Sequence, residues 1–197
     1  MGNEPTKLEK DLAIAAAMAA EMAAYLDSDL TAMPLGAAGM PALTLAGYLL
    51  RRERLASLAE EQLSAADQTL WAVVEDTFDA ALRERVVRVE AKAHAELGIR
   101  FREWDRHVQE LTGHGSNRPA DYYPTMVTSR VMLAALLVFL SQDPYQLASP
   151  VVAQLARLDS VLRRSWQPGA FVWAPAWALA YPRQQFWFLY GLPRSVD

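Results

Sequence analysis

Apolar residues recur every three or four positions through most of this chain, and nowhere do they alternate with polar ones over a convincing strand length. That period belongs to amphipathic helices. Lys7 to Asp27 reads as a first helix, with Ile14, Met18, Met22 and Tyr25 at helical spacing. Eight of the fourteen residues from Asp11 to Ala24 are alanine, the best helix former, and small enough for a neighbour to approach closely. Residues 28–40 carry Pro34, Gly36 and Gly39 and read as a loop. A second helix opens at Pro41 or Thr44, Thr44 being a plausible N-cap. Leu45, Leu49, Leu55, Leu58 and Leu63 form its apolar stripe, with Arg51, Arg52 and Arg54 on the polar side.

Ser64, with Asp67 three residues on, starts the longest pattern. Apolar positions run Leu70, Val74, Phe78, Leu82, Val86, Val89, Ala93, Leu97, Phe101, Trp104, Val108, Leu111, without a proline until Pro119. The mean step is about 3.7, nearer a packed helix than a 3.5-residue coiled coil. Unbroken, residues 64–112 would extend about 73 Å, with Gly98 the expected bend or break. A helix too long for its own domain implies a homodimer contacting through residues 82–111. A fourth helix opens at Asp121 or Tyr123, with Pro124 in its first turn, and is apolar nearly all round to about Ser141, as central helices are. Ser149–Pro150 is a cap and first-turn pair opening a fifth helix, which ends before Pro168.

From Trp166 the pattern changes. WQPGAFVWAPAWALAYPRQQFWFLYGLPRSVD has no sustained period, and prolines at 168, 175, 182 and 193 forbid a long helix. It holds nine aromatic residues between Trp166 and Tyr190. Such a segment must wrap over something, and Trp166, Trp173, Trp177 and Trp187 are its expected anchors, with Trp104 on the long helix. Phe186 to Tyr190 reads as one helical turn or a short strand. The fold class expected is all-α: one helical domain over 1–197, about five helices with one very long helix, the C-terminal tail extended over the core.

Composition narrows function mainly by exclusion. There is no cysteine, so disulfides, thiolate nucleophiles and sulfur metal sites are absent. A net charge of −4, with Glu53, Glu60, Glu61 and Glu84 interleaved among Arg51, Arg52, Arg54, Arg83, Arg85 and Arg88, argues against a nucleic-acid partner. The start MGNEPTKLEKD lacks an apolar core of signal type, which predicts a cytoplasmic protein. The longest apolar run, Val131 to Leu140, is half a bilayer span, so no membrane insertion is expected.

Candidate chemistry is sparse. Glu90 with His94, and Glu103 with His107, stand four apart on one helix and are the only metal-ligand candidates. Carboxylate-bridged bundles use Glu-x-x-His with partner glutamates, and the fourth helix has none, so ordinary helix pairs, like Lys92 with Glu96 and Arg106 with Glu110, are expected. Arg130, beside the most apolar run, needs a carboxylate or backbone carbonyls if buried. Glu75, Asp76 and Asp79 are the candidates, and an anion-binding role is the alternative. Asp121, Tyr122 and Tyr123 read the same way, as packing and capping residues or ligand contacts. Arg163 and Arg164 stand ready for a cation–π contact with the tail. No phosphate loop or serine elbow is present, and no catalytic residue or cofactor is assigned.

Four segments carry a resemblance: Leu43-Thr-Leu-Ala-Gly-Tyr-Leu49, Tyr122-Tyr123 leading into Thr128-Ser-Arg130, Leu162-Arg-Arg-Ser-Trp-Gln-Pro-Gly169, and Phe186-Trp-Phe-Leu-Tyr-Gly-Leu-Pro-Arg194. Across residues 40–194 the chain resembles a family of uncharacterised, helix-rich bacterial conserved proteins with no assigned activity. The resemblance implies only that the tail belongs to the fold. The function expected is a non-catalytic structural or protein-interaction domain, homodimeric and open to a further protein partner. The alternative is a small-molecule binding domain or helical enzyme with a pocket near Arg130 and the tail.

Overall fold

A computed structural model describes residues 6–113, 122–147 and 149–194. The order is α1 (Lys7–Asp27), α2 (Leu45–Gln62), α3 (Ala65–Arg83), α4 (Val86–Thr112), α5 (Tyr123–Leu140) and α6 (Ser149–Arg164), then β1 (Trp166–Phe171), two short 3-10 helices (Pro175–Ala180 and Trp187–Leu189) and β2 (Tyr190–Pro193). The architecture is essentially all-α, with six α-helices among the described residues where about five were expected. The domain expected over 1–197 is described as two compact units, residues 1–96 and 97–197, with the boundary inside α4.

In the first unit α1 packs on α2 and α3. Leu8, Leu12, Ala15, Met18, Met22 and Leu26 are buried along one face of α1. Its start is fixed by Thr6, whose hydroxyl accepts from Glu9 N while Glu9 reaches back to Thr6 N, a reciprocal capping box. Thr44 caps α2 through Gly47 N, and Ser64 caps α3 through Asp67 N, as the sequence suggests.

The single long helix over 64–112 is not formed. It breaks at Glu84–Arg85, while α4 runs through Gly98 without interruption. Arg85 N turns back to Leu82 O at 3.0 Å, and a new ladder starts with Val89 N on Arg85 O at 2.9 Å. No proline or glycine marks the place. The break is held from a distance: Arg85 Nε bonds Asp27 Oδ2 at the end of α1 at 3.0 Å, and Arg88 donates to the Asp27 carbonyl at 3.1 Å. The apolar steps preceding it already told against one continuous face. Four successive steps of four residues each overshoot a helical turn by about 40°, so Leu70 and Val86 lie on different sides. Val74, Phe78 and Leu82 are buried, while Leu70 is 43% exposed.

In the second unit the α4 residues Leu97, Trp104 and Val108 and the α5 residues Val127, Val131, Leu133, Leu136 and Leu140 are buried. By length and composition α5 is long and apolar enough to cross a membrane, and 61% of that stretch is buried against its own chain. The tail packs here. β1 and β2 pair antiparallel, Trp166 opposite Pro193 and Phe171 opposite Tyr190, with a register shift between Pro168 and Phe171. These strands went unread because neither alternates and their pairing is long-range. Gly191 is required: its φ is +145°, and a Cβ there would lie 2.1 Å from the Gln167 carbonyl oxygen. Of the alternatives left open for Phe186 to Tyr190 the helical turn is realised, as a 3-10 turn at Trp187–Leu189, and the strand begins only at its last residue, Tyr190.

The most deeply buried residues of the tail are not its tryptophans. Tyr181, Phe186, Phe188 and Leu189 are fully buried, whereas Trp166, Trp173, Trp177 and Trp187 are half-buried. Indoles are too large to be enclosed easily and have an N–H to satisfy. Trp173 donates that N–H to the Pro124 carbonyl at 2.7 Å. Trp187 stands edge-on to Trp166 at 5.1 Å, beneath the Arg163 guanidinium at 4.0 Å. Trp177 stacks edge-on to Trp173 at 6.1 Å. Trp104 is fully buried, as expected of an anchor.

Candidate functional site

Arg130 is 9% exposed. It forms a two-pronged pair with Asp159 on α6, Nε to Oδ1 at 2.9 Å and Nη2 to Oδ2 at 2.7 Å. Its guanidinium also stacks on Phe188 at 4.4 Å. The partner is therefore Asp159 and none of the expected Glu75, Asp76 and Asp79. Glu75 accepts instead from Tyr48 and Arg52, and Asp79 lies 3.7 Å from Arg52. Sequence could not find Asp159, because its meeting with Arg130 depends on how α6 crosses α5.

Tyr123 is buried and donates its hydroxyl to the Phe188 carbonyl at 2.7 Å. Burial pushes that hydroxyl far above the usual tyrosine range, and Asp159 adds to the rise against the opposing pull of Arg130. Tyr122 is 57% exposed, and Asp121 lies outside the described residues, as do His114 and most of the loop around it. The structure therefore brings Arg130 and Tyr123 together around Phe188, as a joint that fastens the tail to α5. A hollow of about 440 Å³ does lie beside the tail, lined by Pro124, Gln167, Phe171, Gly191 and Leu192 among others. Arg130 does not line it, and no lining residue is titratable.

Glu103 and His107 face different tasks. Burial raises the Glu103 pKa, but hydrogen bonds from Ser129 and Arg100, with the Arg100 and His107 charges, bring it below the ordinary carboxylate value. His107 Nδ1 donates to the Met126 carbonyl at 3.2 Å. Glu90 and His94 are half-buried on the part of α4 in the first unit. Among the described residues no group of three or more His, Cys, Asp or Glu is arranged to hold a metal ion.

The arginines of α2 are not a basic face. Arg54 is buried and pairs with the buried Asp11 at 3.1 Å. Arg51 lies 3.5 Å from the same carboxylate and donates to the Gly47 carbonyl at 2.7 Å. Arg52 serves Glu75 and stacks over Phe78 at 5.4 Å. Each guanidinium ties α2 to a neighbour, so none is presented to a polyanion.

Two features were not read in the sequence. The first is a pocket of about 260 Å³ where α1, the following loop and α4 meet. Lys92 and Glu96 are not the plain surface pair expected. Glu96 is 3% exposed and accepts from Ala46 N at the start of α2 at 2.9 Å. Lys92 donates to the Leu30 carbonyl and stands 4.6 Å over the Tyr25 ring. Desolvation holds the Lys92 ammonium below its usual range, with Arg88 adding to the effect and Asp29 opposing it.

The second is the outer face of α3. Ala66, Leu70, Val73, Thr77 and Ala80 follow one another at steps of 4, 3, 4 and 3. All but the half-buried Ala80 are exposed, Leu70 at 43% and Val73 at 57%. Thr69 and Thr77 turn their hydroxyls back onto the carbonyls of Ala65 and Val73, at 2.9 and 2.8 Å. Their methyl groups are left to the surface. The face therefore carries neither a charge nor an unsatisfied hydroxyl over four turns.

No family model, no curated protein and no solved structure matches the chain.

Proposed function

We propose that the protein is a non-catalytic interaction module that associates with a second copy of itself through the outer face of α3. The observation that carries this reading is the uncharged 4-3-4-3 stripe Ala66–Leu70–Val73–Thr77–Ala80, with its threonine hydroxyls turned inward. Such spacing is the seam along which two helices interlock. Small residues at Ala66 and Ala80 allow close approach, and a face without charge pairs most readily with one of the same kind. A two-fold pairing supplies that match.

The contact proposed from the sequence, residues 82–111, rested on a helix of 49 residues. With α4 at 27 residues, that premise is gone and the proposed contact moves to α3. The strength follows from area. Fourteen residue steps cover about 21 Å of a helix roughly 10 Å wide. That is on the order of 200 Å² a side, against about 800 Å² in a standard interface. The α3 stripe alone therefore supports at most a weak dimer, populated at high protein concentration. Sedimentation equilibrium of the full chain tests it. The mass should climb above 21.9 kDa with concentration, and the Leu70→Glu, Val73→Glu variant should stay monomeric. A wild-type mass that never rises contradicts the proposal.

A further inference from the structure

The pocket beside Lys92 lies away from the α3 stripe and carries features that a simple hole in a helical unit does not need. Arg88, Lys92 and Glu96 stand at steps of four along α4 and all line it. Residues so spaced stack on one helix face about 6 Å apart. The lining therefore passes from two cations to a carboxylate within two turns. Ala91 and Ala95 lie alongside with no bulk, and Tyr25, Leu26 and Leu30 supply an apolar wall. Asp29 brings the formal charge of the lining to zero.

The cationic end is open to an acceptor. Among the described residues Lys92 has one hydrogen bond, to the Leu30 carbonyl, and an ammonium has three donors. Arg88 uses Nη1 on the Asp27 carbonyl and lies 3.6 Å from the Asp27 carboxylate through Nε. Asp29 attracts the Lys92 ammonium but does not offset its desolvation. At the other end Glu96 is a deeply buried carboxylate fixed by Ala46 N, and the Tyr25 ring offers a π face to a cation.

We infer that this pocket binds a small zwitterion of the amino-acid type, its carboxylate between Lys92 and Arg88, its ammonium toward Glu96 and Asp29, and its apolar side chain against Tyr25 and Leu30. A simple anion would meet Glu96, and a simple cation would meet Lys92. A molecule bearing both charges meets a group of opposite sign at each end of the stripe. The volume of about 260 Å³ is sufficient for an aliphatic amino acid.

Isothermal titration of the full chain tests this with L-leucine, with 4-methylpentanoate, which lacks the ammonium, and with 3-methylbutylamine, which lacks the carboxylate. The expected result is saturable binding of L-leucine, at least about tenfold tighter than either analogue, since each loses one charge-assisted contact. Lys92→Met keeps the packing over Tyr25 and removes the ammonium. Glu96→Gln keeps an acceptor for Ala46 N and removes the charge. Each should weaken leucine by about tenfold while leaving the circular dichroism spectrum unchanged. No saturable heat with leucine overturns the proposal. Equal binding of 4-methylpentanoate, or leucine binding unchanged in Lys92→Met with the fold intact, overturns it too.

Discussion

Replacing Asp159 with asparagine separates a structural Arg130 from a ligand-binding one. Arg130 lies on the most apolar helix of the second unit, is 9% exposed and is held by two hydrogen bonds to Asp159. The Asp159→Asn amide would keep one acceptor and lose the charge, leaving a guanidinium that cannot deprotonate beside Phe188. Breaking one side of a buried pair costs about 3–5 kcal/mol. The pair is not sealed, its side chains being 11% and 16% exposed, so water relieves part of the loss and about 3 kcal/mol is expected. Urea unfolding followed by tryptophan emission measures it well, because five of the six tryptophans lie in residues 97–197. With a slope near 2 kcal/mol per molar urea, the midpoint should fall by about 1.5 M. The double variant Arg130→Met, Asp159→Leu should lie within about 1 kcal/mol of wild type, because replacing both charges by apolar groups removes the desolvation cost as well. A single variant Asp159→Asn within about 0.5 kcal/mol of wild type would refute the reasoning and free Arg130 for an anion.

Three further outcomes are expected. Gly191→Ala places a Cβ against the Gln167 carbonyl at a φ reserved for glycine, and should cost on the order of 3 kcal/mol by the same urea assay. The Glu103 pKa lies below its ordinary 4.5, so its contribution is complete above that pH and is lost as pH falls through the lower folded value. Acid unfolding should therefore show a smaller slope below pH 4.5 in Glu103→Gln than in wild type. Cutting the chain after Gln167 removes Tyr181, Phe186, Phe188 and Leu189, each worth about 2 kcal/mol when buried. That loss is comparable with the whole stability of a domain. The product should bind a hydrophobic dye and show red-shifted, iodide-quenchable emission, and a truncated chain as stable as the whole would mean the tail is an exposed binding segment.

Much of the fold was legible because it is written locally. Thr44 and Ser64 cap the helices they were expected to cap, and α1 spans the alanine-rich stretch end to end. What escaped is set by contacts distant in sequence. The break at Glu84–Arg85 has no local breaker and is held by Asp27, 58 residues away from Arg85. The β1–β2 pair depends on Gly191 meeting Gln167 and Pro168. The burial of Arg54 depends on Asp11. At the candidate sites the need of a buried Arg130 for an acceptor, a carboxylate or backbone carbonyls, followed from elementary desolvation, but the identity of Asp159 did not. The α3 stripe was hidden inside a longer apolar list, in which Leu70 belonged to the surface and Val74 to the core.

The absence of cysteine offers the most direct test of α3 as the contact surface. Single cysteines at Ala66, Leu70, Val73 and Thr77 would each be the only thiol in the chain. Ala72 on the flank of α3 and Ala153 on α6, both exposed, serve as controls. A disulfide needs Cα atoms within about 7 Å, so mild oxidation at high protein concentration reads register directly. The α3 seam predicts rapid covalent dimer at one or two stripe positions and little at the controls. Dimer formed no faster on the stripe than at Ala153 would contradict it.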